Sequence, residues 1–480
     1  MLTVISAGII GIIFRLALCY DAFNDGLMTY YTQSDALQSL LFHPNYLLEN
    51  IRENIFRSHH TNNSNPLITV LMEKLLNAAP NLNHEVVLTL AAIIMDIMIA
   101  IQLYKLAKAY TEMKYDHSTY ESDLENIMNP RIHPINAERQ VLFGMRFEDN
   151  NPQTRGIFCN ANLPFICSMA YFLNPLTIIT SACGIASIQG IVVLLIVMSM
   201  HFAITGNANK SGLCLALLVQ LDVYHVIFLI PLAIIWMQGY EFQSQKLKGK
   251  RPSWHFYAVC FSFWYMVSTI SALILFGWSF SSFLQSFNLT KNFEDVYPNI
   301  GMDWYFLINT FARYKDYFIV LCSGFLFLFC IPLLVRFYKY PLEMMIMFLL
   351  LKAIFHPLPT VIDVFLVVGI ISIARRTVAR MSIYSLICLL ALPVPIGLYI
   401  VDYDLWLKSG SGNANYMFFQ CLAYNLFVGL ILLDFMASTL NRDKALVLTE
   451  KQNREVSLES TSTDAGANND SNIDDAKKED

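Results

Sequence analysis

Charge is scarce in this chain. Of its 480 residues, 14% are Asp, Glu, Lys or Arg, the net charge is −5, and no basic tract is long enough to follow a nucleic-acid backbone. Nucleic acid is therefore excluded as a partner. Paired cysteines are also missing. The ten cysteines fall mostly in apolar segments, as at Cys167, Cys260, Cys322, Cys330 and Cys421, with no CxxC spacing, so they read as small core residues. The histidines are scattered, and His59-His60 stand in a polar loop without carboxylates at ligand spacing. The pattern gives no metal site, no cofactor and no Cys/His nucleophile.

Apolar residues are abundant instead: 55% of the chain is hydrophobic and the mean hydropathy is +0.46. That composition implies an all-α polytopic membrane protein, because a helix is the simplest segment that satisfies its own backbone in lipid. A span needs about 20 mainly apolar residues. Candidates lie at 3–19, 86–104, 163–181, 184–205, 255–280, 317–335, 381–401 and 416–440. Four more, at 212–221, 223–238, 341–355 and 357–373, are short or interrupted by Pro or a charge, which suits kinked, re-entrant or interior helices. The expected total is about twelve membrane segments within a membrane domain spanning 1–440.

Three short basic loops orient the spans: Lys246 to Arg251, Arg336 with Lys339, and Arg375 to Arg380. By the positive-inside rule they face the cytosol. Loops 20–85, 281–316 and 402–415 are then luminal, 105–160 is a cytosolic loop, and both termini are cytosolic. Sequons at Asn62 and Asn288 fall on the luminal side and are glycosylation candidates. Residues 1–19 lack a basic n-region and carry Arg15 within the apolar run, as an uncleaved first span would. The tail 441–480 is rich in Ser, Asn, Asp and Glu and is expected to be disordered. Its end, with Lys477 and Lys478, resembles the dilysine retrieval signal of endoplasmic reticulum membrane proteins.

Polar residues inside spans are costly and mark function. The last apolar stretch, Tyr416 to Leu440, contains both Asn425 and Asp434. Asp96, Asp222 and Asp363 lie in other segments, with no Lys or Arg at helical spacing; Lys352 is the one basic residue well inside a nearby apolar segment. Such acids could form an ion relay in a transporter, or cap and brace neighbouring helices. Asp402-Tyr403-Asp404 forms a DxD at a span end, which keeps open an enzyme, a dolichol-phosphate-sugar-dependent glycosyltransferase.

Four ordered stretches carry a resemblance: Tyr171-Phe-Leu-Asn-Pro175, Pro298-Asn-Ile-Gly-Met-Asp-Trp-Tyr-Phe306, Pro359-Thr-Val-Ile-Asp363 and Ser411-Gly-Asn-Ala-Asn415. With the final helix, where Asn425 and Asp434 stand nine residues apart and Gly429 lies between them, the chain resembles the PIG-U family. This family is subunit U of the glycosylphosphatidylinositol (GPI) transamidase. The resemblance implies a scaffold similar to the membrane glycosyltransferases (GT-C-like), without their catalytic acid. It also implies a non-catalytic subunit that helps hold the GPI lipid beside a catalytic cysteine-protease-like subunit and luminal scaffold subunits.

Helix geometry separates the two polar residues of the last span. At ~1.5 Å and ~100° per residue, Asn425 and Asp434 are roughly 13 Å apart along the axis and on nearly opposite faces. Asn425 and Gly429 share a face and are the leading lipid-binding candidates, together with Asn299, Asn174 and Asp363. Asp434 is assigned to helix packing.

Overall fold

The computed structural model describes residues 8–17, 84–127, 162–182, 188–247, 253–275, 298–378 and 380–444, all helix and connection without a strand among them. In chain order the helices are α1 (Gly8–Ala17), α2 (His84–Ile127), α3 (Leu163–Phe172), α4 (Pro175–Ala182), α5 (Ile188–Ile204), α6 (Ala208–Leu221), α7 (Leu229–Leu247), α8 (Trp254–Leu275), α9 (Asp303–Asn309), α10 (Ala312–Phe337), α11 (Pro341–Phe355), α12 (Val361–Ile371), α13 (Ile383–Ala391), α14 (Pro393–Tyr403) and α15 (Ala414–Lys444). A 3-10 turn, Val223–Phe228, leads into α7.

Among the described residues, six helical segments have the length and composition to cross a bilayer: 90–113, 223–241, 254–274, 312–337, 383–408 and 414–444. Five shorter apolar helices accompany them, including α1, α3 and α6. The stretch 163–181 was expected as one span and is two helices. Pro175 opens α4, where its missing N–H costs nothing, and the Asn174 carbonyl accepts from Ile178 N (3.1 Å) and Thr177 Oγ1 (2.8 Å). The stretch 223–238, expected as short, gains crossing length because the 3-10 turn and α7 continue one another.

The interrupted segments lie inside the protein. Residues Pro341 to Ile354 of α11 are all buried, as is most of α12. Small residues let such helices approach closely: a Cβ on Gly239 of α7 would fall on the Ile204 carbonyl oxygen and 2.8 Å from that of Ala203. By contrast, α10 turns Val320, Leu328, Ile331 and Val335 outward, more than half exposed. Arg15, Asp96, Glu343, Lys352, Asp363 and Arg442 are buried, while large apolar side chains face out. That arrangement inverts the rule for water-soluble proteins and matches a bilayer as solvent.

Two boundaries move. Helix α2 continues to Ile127 into the stretch expected as a cytosolic loop, and α15 continues to Lys444, past the expected start of the tail at 441. Arg442 is buried there by an ion pair with Glu343, which is why the helix does not stop where the hydrophobic run ends.

Candidate functional site

At one end of the bundle the loop 298–302, α9, the turn 356–360 and the start of α15 meet. Asn299 folds the loop on itself: its Oδ1 accepts from Gly301 N (2.7 Å), and its Nδ2 donates to the Pro357 carbonyl (3.5 Å). Gly301 has room only for hydrogen, since a Cβ would sit 2.8 Å from Asn299 Oδ1 and 2.9 Å from Pro359 Cγ. From α15, Asn425 Nδ2 donates to the Ile300 carbonyl (2.9 Å) and to Cys421 O (2.8 Å), while the Cys421 thiol donates to Asn299 O (3.3 Å). Asn425 is 4% exposed, and its Oδ1 is buried with no hydrogen-bond partner among the described residues. Asn425 thus fastens α15 to the loop and leaves one acceptor uncommitted.

Aromatic side chains close this junction. Tyr305 stacks on Phe418 with centroids 4.0 Å apart, and its hydroxyl donates to Asn415 Oδ1 (2.6 Å). Trp304 is buried beside Trp406, 5.9 Å between centroids. Of the stretches singled out in the sequence, 298–306 therefore touches both 359–363, through Gly301 and Pro359, and 411–415, through Tyr305 and Asn415. The fourth packs further along α12, where the Tyr171 Cβ lies 3.3 Å from the place a Cβ on Gly369 would take. Gly429 lies one turn beyond Asn425 on α15, half-buried, and a Cβ there would meet nothing within 4 Å.

Asp363 lies inside the bundle. It is 2% exposed and accepts from Lys352 Nζ (3.1 Å), Gln189 Nε2 (3.3 Å) and Thr360 Oγ1 (3.2 Å), so it binds α11 and α5 to the start of α12. Asp222 accepts at 2.6 Å from the His356 ring, whose Nδ1 takes the Leu358 N–H (3.1 Å); the proton toward Asp222 is therefore on Nε2. Asp96 pairs with Arg15 at 3.0 Å. Asp434, half-buried, accepts from Ser382 N (2.7 Å), Ser382 Oγ (3.1 Å) and the Ser385 hydroxyl, so it caps α13 from a different helix. Asn174 is buried at the α3/α4 break. Each acid has a partner from another helix or beyond a break, and Asp222 has local ones as well, Tyr224 N (3.1 Å) and the His225 ring (3.9 Å). Spacing within one segment misses such pairs; Gln189, Thr360 and His356 carried no signal of their own.

Outside the spans, burial pushes the Asp303 carboxyl up to about 6, with a hydrogen bond to Cys322 and the nearby His356 acting the other way. Asp402 and Asp404 lie on continuous helical backbone, α14 followed by a wide turn over Asp404–Lys408. Residues i and i+2 of a helix point roughly 200° apart, and Asp404 pairs with Lys408 at 3.2 Å. The two carboxylates do not converge on one ion. No group of three potential metal ligands occurs among the described residues. Asn62, Asn288, Lys477 and Lys478 lie outside the described residues.

A bundle whose buried charges are paired among the described residues, with an apolar exterior, defines a polytopic helical membrane protein. The sequence pattern of one family, described as GPI transamidase subunit PIG-U, matches residues 9–424, and the chain belongs to that family. It is 27% identical over 304 residues to the human GPI-anchor transamidase component PIGU, covering 62% of this chain and 68% of that protein. It is 26% identical over 279 residues to the GAB1 homologue of Schizosaccharomyces pombe, a GPI transamidase component (58% and 65% covered). It is 28% identical over 276 residues to GAB1 of Saccharomyces cerevisiae, also so named (55% and 64% covered).

Proposed function

We propose that this chain is a non-catalytic subunit of GPI transamidase that helps bind the GPI lipid and present it for attachment to the C-terminus of proproteins. The observation that carries the reading is the junction around Asn425, where the 298–306 stretch meets α15, Pro359 and Asn415. Asn425 builds the wall of the site by holding the Ile300 carbonyl. Its uncommitted Oδ1 and the open face at Gly429 offer an acceptor and space for an acyl chain. Asn299 and the Tyr305/Phe418 stack shape the luminal rim, Asn174 and Asp363 hold the surrounding helices in place, and Asp434 stays structural.

In this reading the protein sits in the endoplasmic reticulum membrane with both termini cytosolic. About twelve segments, including the short interior ones, form a scaffold similar to that of membrane glycosyltransferases. The transamidation chemistry belongs to a partner, the cysteine-protease-like subunit, with luminal scaffold subunits beside it. The enzyme alternative rests on Asp402 and Asp404, and their divergence on a helix weighs against it.

The test is Asn425→Ala in cells. GPI attachment should fall at least tenfold while GPI lipid synthesis and complex assembly stay normal. Unchanged attachment would sink the proposal, as would sugar transfer by the purified protein that disappears in the Asp402→Asn/Asp404→Asn double variant.

A further inference from the structure

At the end of the bundle opposite the Asn425 junction, the close of α10, the start of α11 and the last turns of α7 and α15 surround a cavity of about 350 Å³. That size is at the lower end of ligand pockets. Its charged lining is Lys339, Arg442, Glu241 and Glu343, two of each sign. Arg442 and Glu343 pair at 2.7 Å, each with 3% side-chain exposure. The Arg442 guanidinium is held further by Thr377 Oγ1 (3.4 Å) and lies 5.3 Å from the centroid of the Tyr340 ring. Tyr340 is itself fixed by donating to Asp443 (2.8 Å). The inner wall is thus held in place by paired side chains.

Lys339 stands exposed at the rim and makes no ion pair among the described residues. Glu241 and Gln238, one turn apart on α7, face the same cavity. A lining of this kind is neither an anion trap nor a cation trap. It is dipolar, and the ligand that complements it carries a phosphate and an ammonium together. The ammonium must have N–H donors for a carboxylate, which a primary amine has and a quaternary one lacks. Met113, Ile204, Ile235 and Leu342 make up an apolar side of the same cavity, suited to the first methylenes of acyl chains.

We infer that this cavity binds the headgroup of a phosphoethanolamine phospholipid, with Lys339 and Arg442 toward the phosphate and Glu241 toward the ammonium. The inference stands apart from the proposed role of the Asn425 junction, which lies at the other end of the helices. It adds a lipid held at the basic end of the bundle, near Arg336 and Arg380, where the chain meets the interface.

The experiment uses the full-length protein within its purified complex, reconstituted in nanodiscs of phosphatidylcholine containing phosphatidylethanolamine and phosphatidylserine. Retained lipid is then identified by native mass spectrometry. Phosphatidylethanolamine should be enriched at least tenfold over its share of the bilayer, and both Lys339→Glu and Glu241→Gln should abolish that enrichment. Lys315→Glu, at the other end of α10, should leave it intact. Retention that follows bulk composition, enrichment of phosphatidylserine, or enrichment unchanged in both cavity variants would overturn the inference. Soluble glycerophosphoethanolamine binding as tightly as the diacyl lipid would overturn the membrane lipid as occupant.

Discussion

Replacing Lys352 by Met tests whether the interior of this bundle is held by charge pairing. The side chains of Lys352 and Asp363 are 4% and 2% exposed and 3.1 Å apart. In the single variant Asp363 keeps the neutral donors Gln189 and Thr360 but loses its counter-charge. Removing one partner of a buried pair costs about 3–5 kcal/mol, because the remaining charge is uncompensated. Asp363→Asn has the converse effect, leaving an ammonium buried, and the same range applies. The double variant Lys352→Met/Asp363→Asn leaves no buried charge and keeps an amide that Gln189 and Thr360 can engage, so most of the loss should be recovered. A coupling energy of at least about 2 kcal/mol is expected from the cycle. Chemical unfolding in micelles, followed by tryptophan fluorescence, gives the four values. Coupling below about 0.5 kcal/mol would refute the pairing argument.

Asp434→Ala removes the acceptor of three hydrogen bonds at the start of α13. It should cost about 1–2 kcal/mol, with faster hydrogen exchange at Ser382 to Ser385 and little change elsewhere. Gly239→Ala forces a Cβ against two backbone carbonyls and should destabilise by about 1–3 kcal/mol. Gly429→Ala meets open space and should change stability by less than about 0.5 kcal/mol; equal losses in thermal unfolding would contradict the packing described. Asp303 has a folded carboxyl pKa raised to about 6 from 3.8, so the folded state binds the proton more tightly. The resulting stabilisation is fully present below about pH 4 and is lost as pH rises through 6. At ~1.36 kcal/mol per unit it amounts to at most about 3 kcal/mol. Asp303→Asn should flatten the midpoint of unfolding between pH 4 and 7, and a slope that persists would assign it to another group.

Class and family were legible because they rest on composition and on ordered short stretches. The interior placement of 341–355 was also foreseeable: Glu343 and Lys352 interrupt it, and a charge in an apolar helix needs protein around it. The partners were not legible. Lys352 and Asp363 are 11 residues apart, which in one continuous helix would mean roughly 16 Å. They meet because the chain turns at His356–Thr360, where Pro357 and Pro359 cannot continue α11. Asp222 and His356 are 134 residues apart, and nothing local to either names the other. The junction at Asn425 was half visible. An amide inside an apolar span was plain from the sequence, but its bond goes to a backbone carbonyl of loop 298–302, which no residue type of that loop could flag.

These long separations matter for how the chain is made. Asp222 enters the membrane 134 residues before His356 exists. At roughly 5–20 residues per second, that is about 7 to 27 s of synthesis. Arg15 waits across 81 residues for Asp96. During those intervals the nascent chain carries charges whose distant partners are not yet made, in a solvent that cannot hydrate them. An insertion factor or a water-filled vestibule must shelter them until the later helices arrive. A ribosome that stalls before His356 leaves Asp222 with only its local partners, the Tyr224 N–H at 3.1 Å and the His225 ring at 3.9 Å.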